Sequence, residues 1–382
     1  MINWPTKKIG EIVEKPELKK APVGSWPYIE IGDIDIENKS IIFKDKKSIK
    51  GAIIAPVDSV LVSRVRPTRG AIVYLDKDYV VSSAFSVIKP KLFESSSKFL
   101  FYWLGFSKAF IRYLQRKQKG SNYPSVREKD ILNFEISLPP LKIQQKIVER
   151  LDAIKKAQEL NDKQIELAEE LFQSLLHREL DPKGKEWEIR KLRDVIDLIE
   201  SGSRPKGGAV SSGIPSLGVE HINENGGFNI DKIKYIPSDF FKNIKRGKIK
   251  KQDVLIAKDG ATTGKIAIVD NDFPFDEAAV NEHLFIIRSN SNIISQKFLF
   301  FTLFGSKGKT QILKTKHGAA QGGIDQSFVN FVKIPLPPLE TQQKIVEKLS
   351  AVQEYKKKLI EQKQKLQELF ESVLNKSFKG QL

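Results

Sequence analysis

Three arginines lie close together in one short segment of the chain. The sequence SRVRPTRG (residues 63–70) places Arg64, Arg66 and Arg69 in a turn-prone loop between two predicted strands. An arginine guanidinium can fork onto a guanine edge or onto a phosphate, so this loop is a candidate DNA contact. If the segment is extended, alternation points Arg64 and Arg66 to the same face. The alternative is an ordinary solvent-exposed loop.

The corresponding segment in the second half of the chain, AKDGATTGKIA (residues 257–267), carries different polar side chains. Its GATTGK sequence is similar to a phosphate loop, but that motif needs four residues between its glycines and Ser or Thr after the lysine. Here three residues separate Gly260 from Gly264, and Ile266 follows the lysine, so we exclude nucleotide binding. The side chains that this loop can offer to bases and phosphates are Lys258, Asp259, Thr262, Thr263 and Lys265.

Glycine-containing polar loops provide further candidate contacts. SGSRPKGG (residues 201–208) combines flexible glycines with polar groups, so its backbone can approach a phosphate closely. KQKGSNYPS (residues 117–125) aligns with TKHGAAQGG (residues 315–323), which gives each half one such loop before its last strand. The candidate DNA-binding residues in these loops are Ser203, Arg204, Lys206, Lys119, Asn122, Tyr123, His317 and Gln321.

The sequence lacks the usual patterns of a catalytic centre. None of the four histidines is at metal-ligand spacing, and cysteine is absent. Neither a GxSxG nucleophile elbow nor a paired-carboxylate nuclease pattern occurs, and no Asn/Asp-Pro-Pro-aromatic motif of an amino-methyltransferase is present. We therefore predict a binding protein with no catalytic residues, no metal site and no cofactor.

The charge of the chain indicates the kind of partner. Lys and Arg total 64 against 47 for Asp and Glu among 382 residues, a net charge of +17. Such an excess is typical of proteins that bind a polyanion, most simply nucleic acid, although a basic surface kept for solubility is the alternative. The absence of cysteine, of a signal peptide and of an apolar run long enough to span a membrane predicts a soluble, cytoplasmic protein.

A repeated segment indicates which elements position these loops. LPPLKIQQKIVERL (residues 138–151) returns as LPPLETQQKIVEKL (residues 336–349), with eleven of the fourteen positions identical. The chain is therefore two copies of one unit. Each proline pair marks the start of a helix of about 40 residues, because proline suits the first turn of a helix and not its interior.

Apolar residues in both helices follow the three- and four-residue steps of a heptad, which predicts a coiled-coil seam. The alternative is two separate amphipathic helices, each lying on its own globular domain. Residues 141–180 hold 7 basic and 8 acidic side chains and residues 339–382 hold 9 and 6, so the globular parts carry most of the positive charge. The predicted seam residues are Ile147, Leu151, Ile154, Phe172, Leu175, Ile345, Leu349, Val352, Leu359, Leu366, Phe370 and Val373.

The remaining segments are expected to mix strands and helices. Aromatic segments KFLFYWLGF and KFLFFTLFG indicate core helices. Short β-branched runs indicate strands at 60–65, 71–75 and 79–83, which we match to 254–258, 265–270 and 283–288. The predicted fold is α+β, with two similar mixed α/β domains and two long helices that form an antiparallel coiled coil with a pseudo-twofold internal repeat. The predicted segments are a first domain at 1–138, a helix at 139–180, a second domain at 181–336 and a helix at 337–382.

These features together resemble the specificity subunit of type I restriction–modification systems, over essentially the whole chain. The residues that carry the resemblance are ISLPPLKIQQKIV and IPLPPLETQQKIV, the helix ends ELFQSLL and ELFESVL, and the SGSRP segment. The resemblance implies that the globular units are target recognition domains, each reading one half of a split site in double-stranded DNA. It also implies that the specificity subunit has no catalytic role.

The same resemblance implies the partners. The antiparallel coiled coil holds the domains apart by a fixed spacer, two methyltransferase subunits dock on the chain, and motor–nuclease subunits join the full complex. Because the two units differ in their loop sequences, we predict a bipartite, asymmetric DNA site. The alternatives are a coiled-coil adaptor whose basic charge is incidental and the specificity portion of a fused restriction–methylation enzyme.

Overall fold

Packing divides the protein into two compact units. A computed structural model describes residues 4–318 and 322–381. The first unit comprises the chain up to Asp162 together with the segment from Glu361 onward, and the second comprises Lys163–Ile360. Each unit therefore contains one globular part and portions of both long helices.

The first unit combines small sheets with four short helices and parts of both long helices. Its strands are β1 (Thr6–Lys8), β2 (Val13–Glu14), β3 (Lys19–Lys20), β4 (Tyr28–Ile29), β5 (Ile34–Asp35), β6 (Ser40–Ile41), β7 (Ile53–Ala55), β8 (Ser59–Ser63), β9 (Ile72–Leu75), β10 (Tyr79–Val81), β11 (Phe85–Pro90) and β12 (Glu135–Ser137). Its helices are α1 (Ile9–Ile12), α2 (Ser97–Phe106), α3 (Lys108–Lys117), α4 (Glu128–Leu132) and the first part of α5 (Leu141–Glu179), together with the last part of the second long helix. The sheet orders are β3-β7-β10-β4, β2-β11-β8-β9, β1-β12 and β5-β6.

The second unit has a similar composition of elements. Its strands are β13 (Glu188–Lys191), β14 (Ile196–Ser201), β15 (Ile214–Leu217), β16 (Lys234–Ile236), β17 (Val254–Ala257), β18 (Ile266–Ile268), β19 (Ala279–Val280), β20 (Leu284–Ser289) and β21 (Lys333–Leu336). Its helices are the last part of α5, α6 (Ser238–Asn243), α7 (Gln296–Phe304), α8 (Ser306–Lys314) and the first part of α9 (Leu339–Phe378). The sheet orders are β14-β20-β17-β18, β16-β15-β19 and β13-β21.

Both units contain one hairpin scaffold. Strand β8 pairs antiparallel with β9 and β11, and β17 pairs in the same way with β18 and β20. The predicted strands are confirmed in their central residues, but the match of 79–83 to 283–288 was wrong. Strands β10 and β19 are the equivalent pair, because each runs parallel to an earlier strand of its own domain, whereas β20 corresponds to β11.

Helices α2 and α7 form the centre of the two cores, as their aromatic sequences predict. Ser96 and Ser295 cap them, since each hydroxyl oxygen accepts a hydrogen bond from the backbone N–H three residues later. Aromatic side chains cover more than one face of each helix and are buried. A helix that is apolar on all sides is expected in the interior of a domain, and this prediction is confirmed.

A buried glutamine fixes the start of the first long helix. Gln144 Nε2 donates to the carbonyl oxygens of Pro139 (2.8 Å) and Glu94 (3.2 Å). Its Oε1 accepts from the backbone N–H of Ser96 at 2.9 Å. The side chain therefore joins the proline pair before α5 to the turn before α2.

The second unit repeats this arrangement. Gln342 Nε2 donates to the carbonyl oxygens of Pro337 (2.9 Å) and Ile293 (3.1 Å), and its Oε1 accepts from the backbone N–H of Ser295 at 2.8 Å. Because each amide satisfies backbone groups from two segments, the duplicated LPPL-x-x-Q sequence encodes a junction between helix and globular domain.

In the first unit α5 and α9 run antiparallel. Gln158 Nε2 donates to Gln367 Oε1 at 3.2 Å, and Lys363 pairs with Asp162 at 2.8 Å, so positions rise along one helix as they fall along the other. The same helix portions also pack on the aromatic core around α2. The predicted seam residues that join this core as buried side chains are Ile147, Leu151, Ile154 and Phe370, with Val373 partly buried.

The helix portions in the second unit are also antiparallel. Lys356 pairs with Glu169, and Lys348 pairs with Glu179 at 3.3 Å. The predicted contact between the helices is thus confirmed, but each helix lies on a globular core as well, which had been the alternative arrangement. The predicted seam residues that pack on the core around α7 are Phe172, Leu175, Ile345, Leu349 and Val352; Leu359 is buried elsewhere in this unit.

Candidate nucleic-acid interface

The arginine loop of the first unit follows β8 directly. The strand ends at Ser63, and Arg66 takes up the left-handed conformation (φ 48°) before a short 3-10 turn at Pro67–Arg69. The segment is therefore not extended, so the alternation that would place Arg64 and Arg66 on one face does not apply here. A left-handed residue other than glycine is strained, and such strain is concentrated in functional loops.

The arginine loop packs against the polar loop at 117–125. The backbone N–H of Arg66 donates to Pro124 O at 2.7 Å, and that of Val126 donates to Arg64 O at 2.9 Å. The Arg66 guanidinium lies 5.5 Å from the centroid of the Tyr123 ring. The structure thus brings two separately predicted loops into one surface that presents cations beside an exposed aromatic ring.

The second unit joins its two corresponding loops in the same way. The backbone N–H of Ile324 donates to Lys258 O at 2.7 Å, as that of Val126 does to Arg64 O. Thr263 Oγ1 lies 3.4 Å from Gly322 O. The loop that follows the first scaffold strand and the loop before the last strand are therefore neighbours in both units.

A third segment, SGSRPKGG, reaches this surface in the second unit. A Cβ at Gly202 would lie 1.6 Å from Val280 O, so only glycine allows the segment to pass so close to β19. This approach brings Arg204 to the turn before β20, where its Nη2 lies 2.9 Å from Glu282 Oε1. The glycine and the arginine of this predicted loop therefore have separate roles.

Two further side chains connect to that ion pair. His283 Nδ1 lies 2.8 Å from Asp259 Oδ2, and its Nε2 lies 3.5 Å from Glu282 Oε1. We call Arg204, Asp259, Glu282 and His283 the charge cluster. Glu282 and His283 were not predicted from the sequence, because carboxylates are not expected on a DNA surface and the histidine precedes an ordinary apolar strand.

The other residues predicted to contact DNA differ in exposure and in whether they already have an ion-pair partner. Lys265 pairs with Glu224 at 2.7 Å, and His317 Nε2 lies 3.5 Å from Asp325 Oδ2. Gln321 lies outside the described residues. The exposed candidates are Arg69, Lys119, Asn122, Tyr123, Lys206 and His317, and the partly exposed ones are Ser203, Lys258, Thr262 and Thr263.

A partly buried lysine forms a hydrogen bond with the arginine loop. Lys39 Nζ donates to Gly70 O at 2.7 Å, and Lys155 Nζ on α5 donates to Asn38 O at 2.8 Å. Burial, and secondarily the nearby Lys155 ammonium, lower the pKa of Lys39 to about 8. The two lysines therefore tie α5 and the β5–β6 hairpin to the arginine loop, a role with no signal in the local sequence.

The described loops offer donors, cations and carboxylate acceptors. Arginine and lysine side chains suit phosphates and guanine edges, and carboxylates accept from cytosine amino groups. Within 4–318 and 322–381 no group of three or more His, Asp or Glu side chains could hold a metal ion. Over the same residues no helix is long and apolar enough to cross a membrane.

Comparison with known proteins identifies related chains. The family described as type I restriction modification DNA specificity domain matches residues 1–170 and again 184–369. The specificity subunit of the type I restriction enzyme MjaVIII from Methanocaldococcus jannaschii is 26% identical over 404 residues, covering 98% of this chain and 91% of that protein. The EcoBI specificity subunit of Escherichia coli is 24% identical over 205 residues, covering 52% of this chain and 42% of its own length.

Solved structures show the same fold. The HsdS subunit from Thermoanaerobacter tengcongensis has a TM-score of 0.53 at 22% identity and covers 100% of this chain and 97% of its own. A type I restriction–modification S subunit from M. genitalium has a TM-score of 0.62 at 15% identity, with coverage of 99% and 96%. Because the family match extends over both repeats and most of the chain, this protein belongs to the family of type I restriction–modification specificity subunits.

Proposed function

We propose that this chain is a non-catalytic specificity subunit in which each globular part reads one half of a bipartite, asymmetric site in double-stranded DNA. The observation that carries the proposal is that both units join the same two loops on the same hairpin scaffold but present different side chains. Equal scaffolds with unequal side chains suit two different half-sites, because base edges are distinguished by donor and acceptor pattern.

The two surfaces differ in their chemistry. The first presents Arg64, Arg66 and Arg69 beside Tyr123, which suits guanine edges, phosphates and stacking. The second replaces this set with the charge cluster, whose carboxylates can accept from an amino group of cytosine. The first half-site is therefore expected to differ from the second.

The partners in this proposal are two methyltransferase subunits, with motor–nuclease subunits in the full complex. The coiled coil sets the unread spacer between the half-sites, and its outer surface supplies area for a protein partner. Apolar side chains that remain exposed on α5 and α9 support such a contact. They are Leu160, Leu167, Leu171, Leu339, Tyr355, Ile360 and Leu369.

The test is to map methylated adenines in DNA from cells that express the methyltransferase subunit of this system, with and without the chain. We expect a split motif with two unequal halves that appears only when the chain is present. A methylation pattern that does not depend on the chain would contradict the proposal and favour the coiled-coil adaptor.

The purified chain provides a second test. We expect no methyl transfer to DNA by the chain alone, because its described loops provide binding groups only. Transfer by the isolated chain would instead support the specificity portion of a fused restriction–methylation enzyme.

A further inference from the structure

We propose that each recognition surface reads a G·C base pair with one arginine that a neighbouring turn holds in place. These arginines are Arg64 in the first unit and Arg204 in the second, and the turn is the one that precedes β11 or β20. This inference rests on the proposed function and adds to it the specificity-determining residues and the base that they recognise.

In the second unit the holding group is a carboxylate. Glu282 Oε1 lies 2.9 Å from Arg204 Nη2, while Glu282 Oε2 is buried and has no hydrogen-bond partner in the described part of the chain. The His283 ring, itself held by Asp259, lies 3.5 Å from the same Oε1. Glu282 is thus fixed from more than one side, whereas the Arg204 side chain remains 55% exposed and keeps donors for a ligand.

In the first unit the holding group is a backbone carbonyl. Arg64 Nη2 donates to Ser83 O, its Nε is buried without a partner among the described residues, and the residue as a whole is only partly exposed. Ser83 and Glu282 occupy equivalent positions. Ser83 lies two residues before Phe85, which pairs with the last residue of β8. Glu282 lies two residues before Leu284, which pairs with the last residue of β17. The same corner of the scaffold therefore holds an arginine in both units.

The arginine comes from a different segment in each unit. Arg64 directly follows β8, and Lys258 takes its place after β17. The Lys258 ammonium lies 5.5 Å from the centroid of the Phe285 ring. The SGSRP loop, whose counterpart after β2 in the first unit contains no arginine, supplies Arg204 instead. Two different segments thus place an arginine beside the equivalent turn of each unit, which indicates that an arginine is required there.

A held arginine suits base reading more than phosphate binding. The guanidinium is planar with five donors, so one edge can bond the turn while another faces guanine O6 and N7. Fixing the side chain before binding reduces the entropy lost on forming a bidentate contact. The carboxylates of Asp259 and Glu282 repel a phosphate at this place, which favours the neutral base edge as the ligand of Arg204.

The test is adenine-methylation mapping with full-length variants and the methyltransferase subunit. We expect R204A to lose discrimination at one G·C pair of one half-site by about ten- to hundredfold, and R64A to do so in the other half-site. The unaffected half-site in each map shows that the variant still folds and assembles. Uniformly weaker methylation with an unchanged motif would mean phosphate contacts and would overturn the inference, as would no change at all.

The role of Glu282 as a positioning residue has its own test. We expect E282Q to relax the same base pair as R204A, and the double variant to relax it no further, because both changes remove one function. R190A is the matched control, since Arg190 forms an exposed pair with Glu188 at 2.7 Å in the same unit; it should leave the motif intact. Relaxation at a different base pair would overturn the role of Glu282. If the wild type itself gives no split motif, the proposed function fails instead.

Discussion

At the scale of single residues, Gln144 and Gln342 each supply both hydrogen-bond donors and an acceptor to buried backbone groups. Each amide donates two hydrogen bonds to carbonyl oxygens and accepts one from a backbone N–H, and neither side chain is exposed. A carboxylate of the same shape has no donor, so it would face two carbonyl oxygens across hydrogen-bond distances. The amide, and not merely a polar group, is required.

We therefore expect Gln144→Glu to lower the free energy of unfolding by about 2–4 kcal/mol at neutral pH, because it buries an unsatisfied charge. Denaturant unfolding measures this change. Gln145→Glu is the matched control, since the adjacent side chain is exposed, and it should alter stability by less than about 0.5 kcal/mol. Equal effects of the two substitutions would show that the junction does not depend on the amide.

A second residue-scale prediction concerns Lys39. Its pKa of about 8 in the folded protein lies below that of an ordinary lysine, so between about pH 8 and 10.4 the unfolded chain binds more protons than the folded one. The contribution of Lys39 to the free energy of unfolding therefore rises with pH through that window and is lowest below pH 8. Relative to that of Lys39→Met, the free energy of unfolding of the wild type should rise by on the order of 1 kcal/mol between pH 7 and 9.5.

Unfolding of both proteins at the two pH values measures the effect of Lys39. Lys50→Met removes a lysine from an exposed position in the same unit and should follow the wild type. A constant difference between the wild type and Lys39→Met at both pH values would contradict the burial of this ammonium as the cause.

At the scale of elements, a buried polar residue interrupts the coiled coil. Asn161 is 1% exposed, and neither of its amide atoms has a hydrogen-bond partner among the described residues. Its counterpart in the repeat is Leu359, which is also buried. A polar residue in such a seam lowers stability but restricts the register of the helices.

Asn161→Leu should thus raise the free energy of unfolding by about 1–3 kcal/mol, because it removes an unsatisfied amide. The reverse change in the second helix, Leu359→Asn, should lower it by a similar amount or more. Thermal unfolding of the two variants measures both. Destabilisation by Asn161→Leu would show that the amide is satisfied after all, for example by water.

Sequence patterns predicted elements better than pairings. The long helices follow from proline pairs and heptad spacing, and the core helices follow from their aromatic runs, all of which are local signals. Which strand of one unit corresponds to which strand of the other depends on pairing between distant segments. For this reason the match of 79–83 to 283–288 failed. The same limit applies to Glu282, whose contact with Arg204 joins segments far apart in the chain.

At the scale of the whole molecule, the net charge of +17 predicts how DNA binding depends on salt. Neutralised phosphates release counterions, so affinity for a duplex with the split motif should fall by about 10³-fold or more between 50 and 200 mM salt. Fluorescence anisotropy with the full chain measures the slope. Lys119→Ala should reduce the slope by about 1 without altering the motif, and a slope near zero would favour the adaptor.

The division of the chain into units has a consequence for its synthesis. The segment from Glu361 onward is made after the second unit but belongs to the first, where Phe370 lies 5.0 Å from Phe106 and Phe378 lies 4.8 Å from Trp103 between ring centroids. During translation one side of the aromatic core of the first globular part therefore stays uncovered until this segment is made. The second unit can complete its folding as soon as Ile360 has emerged. The domain that leaves the ribosome first is completed last.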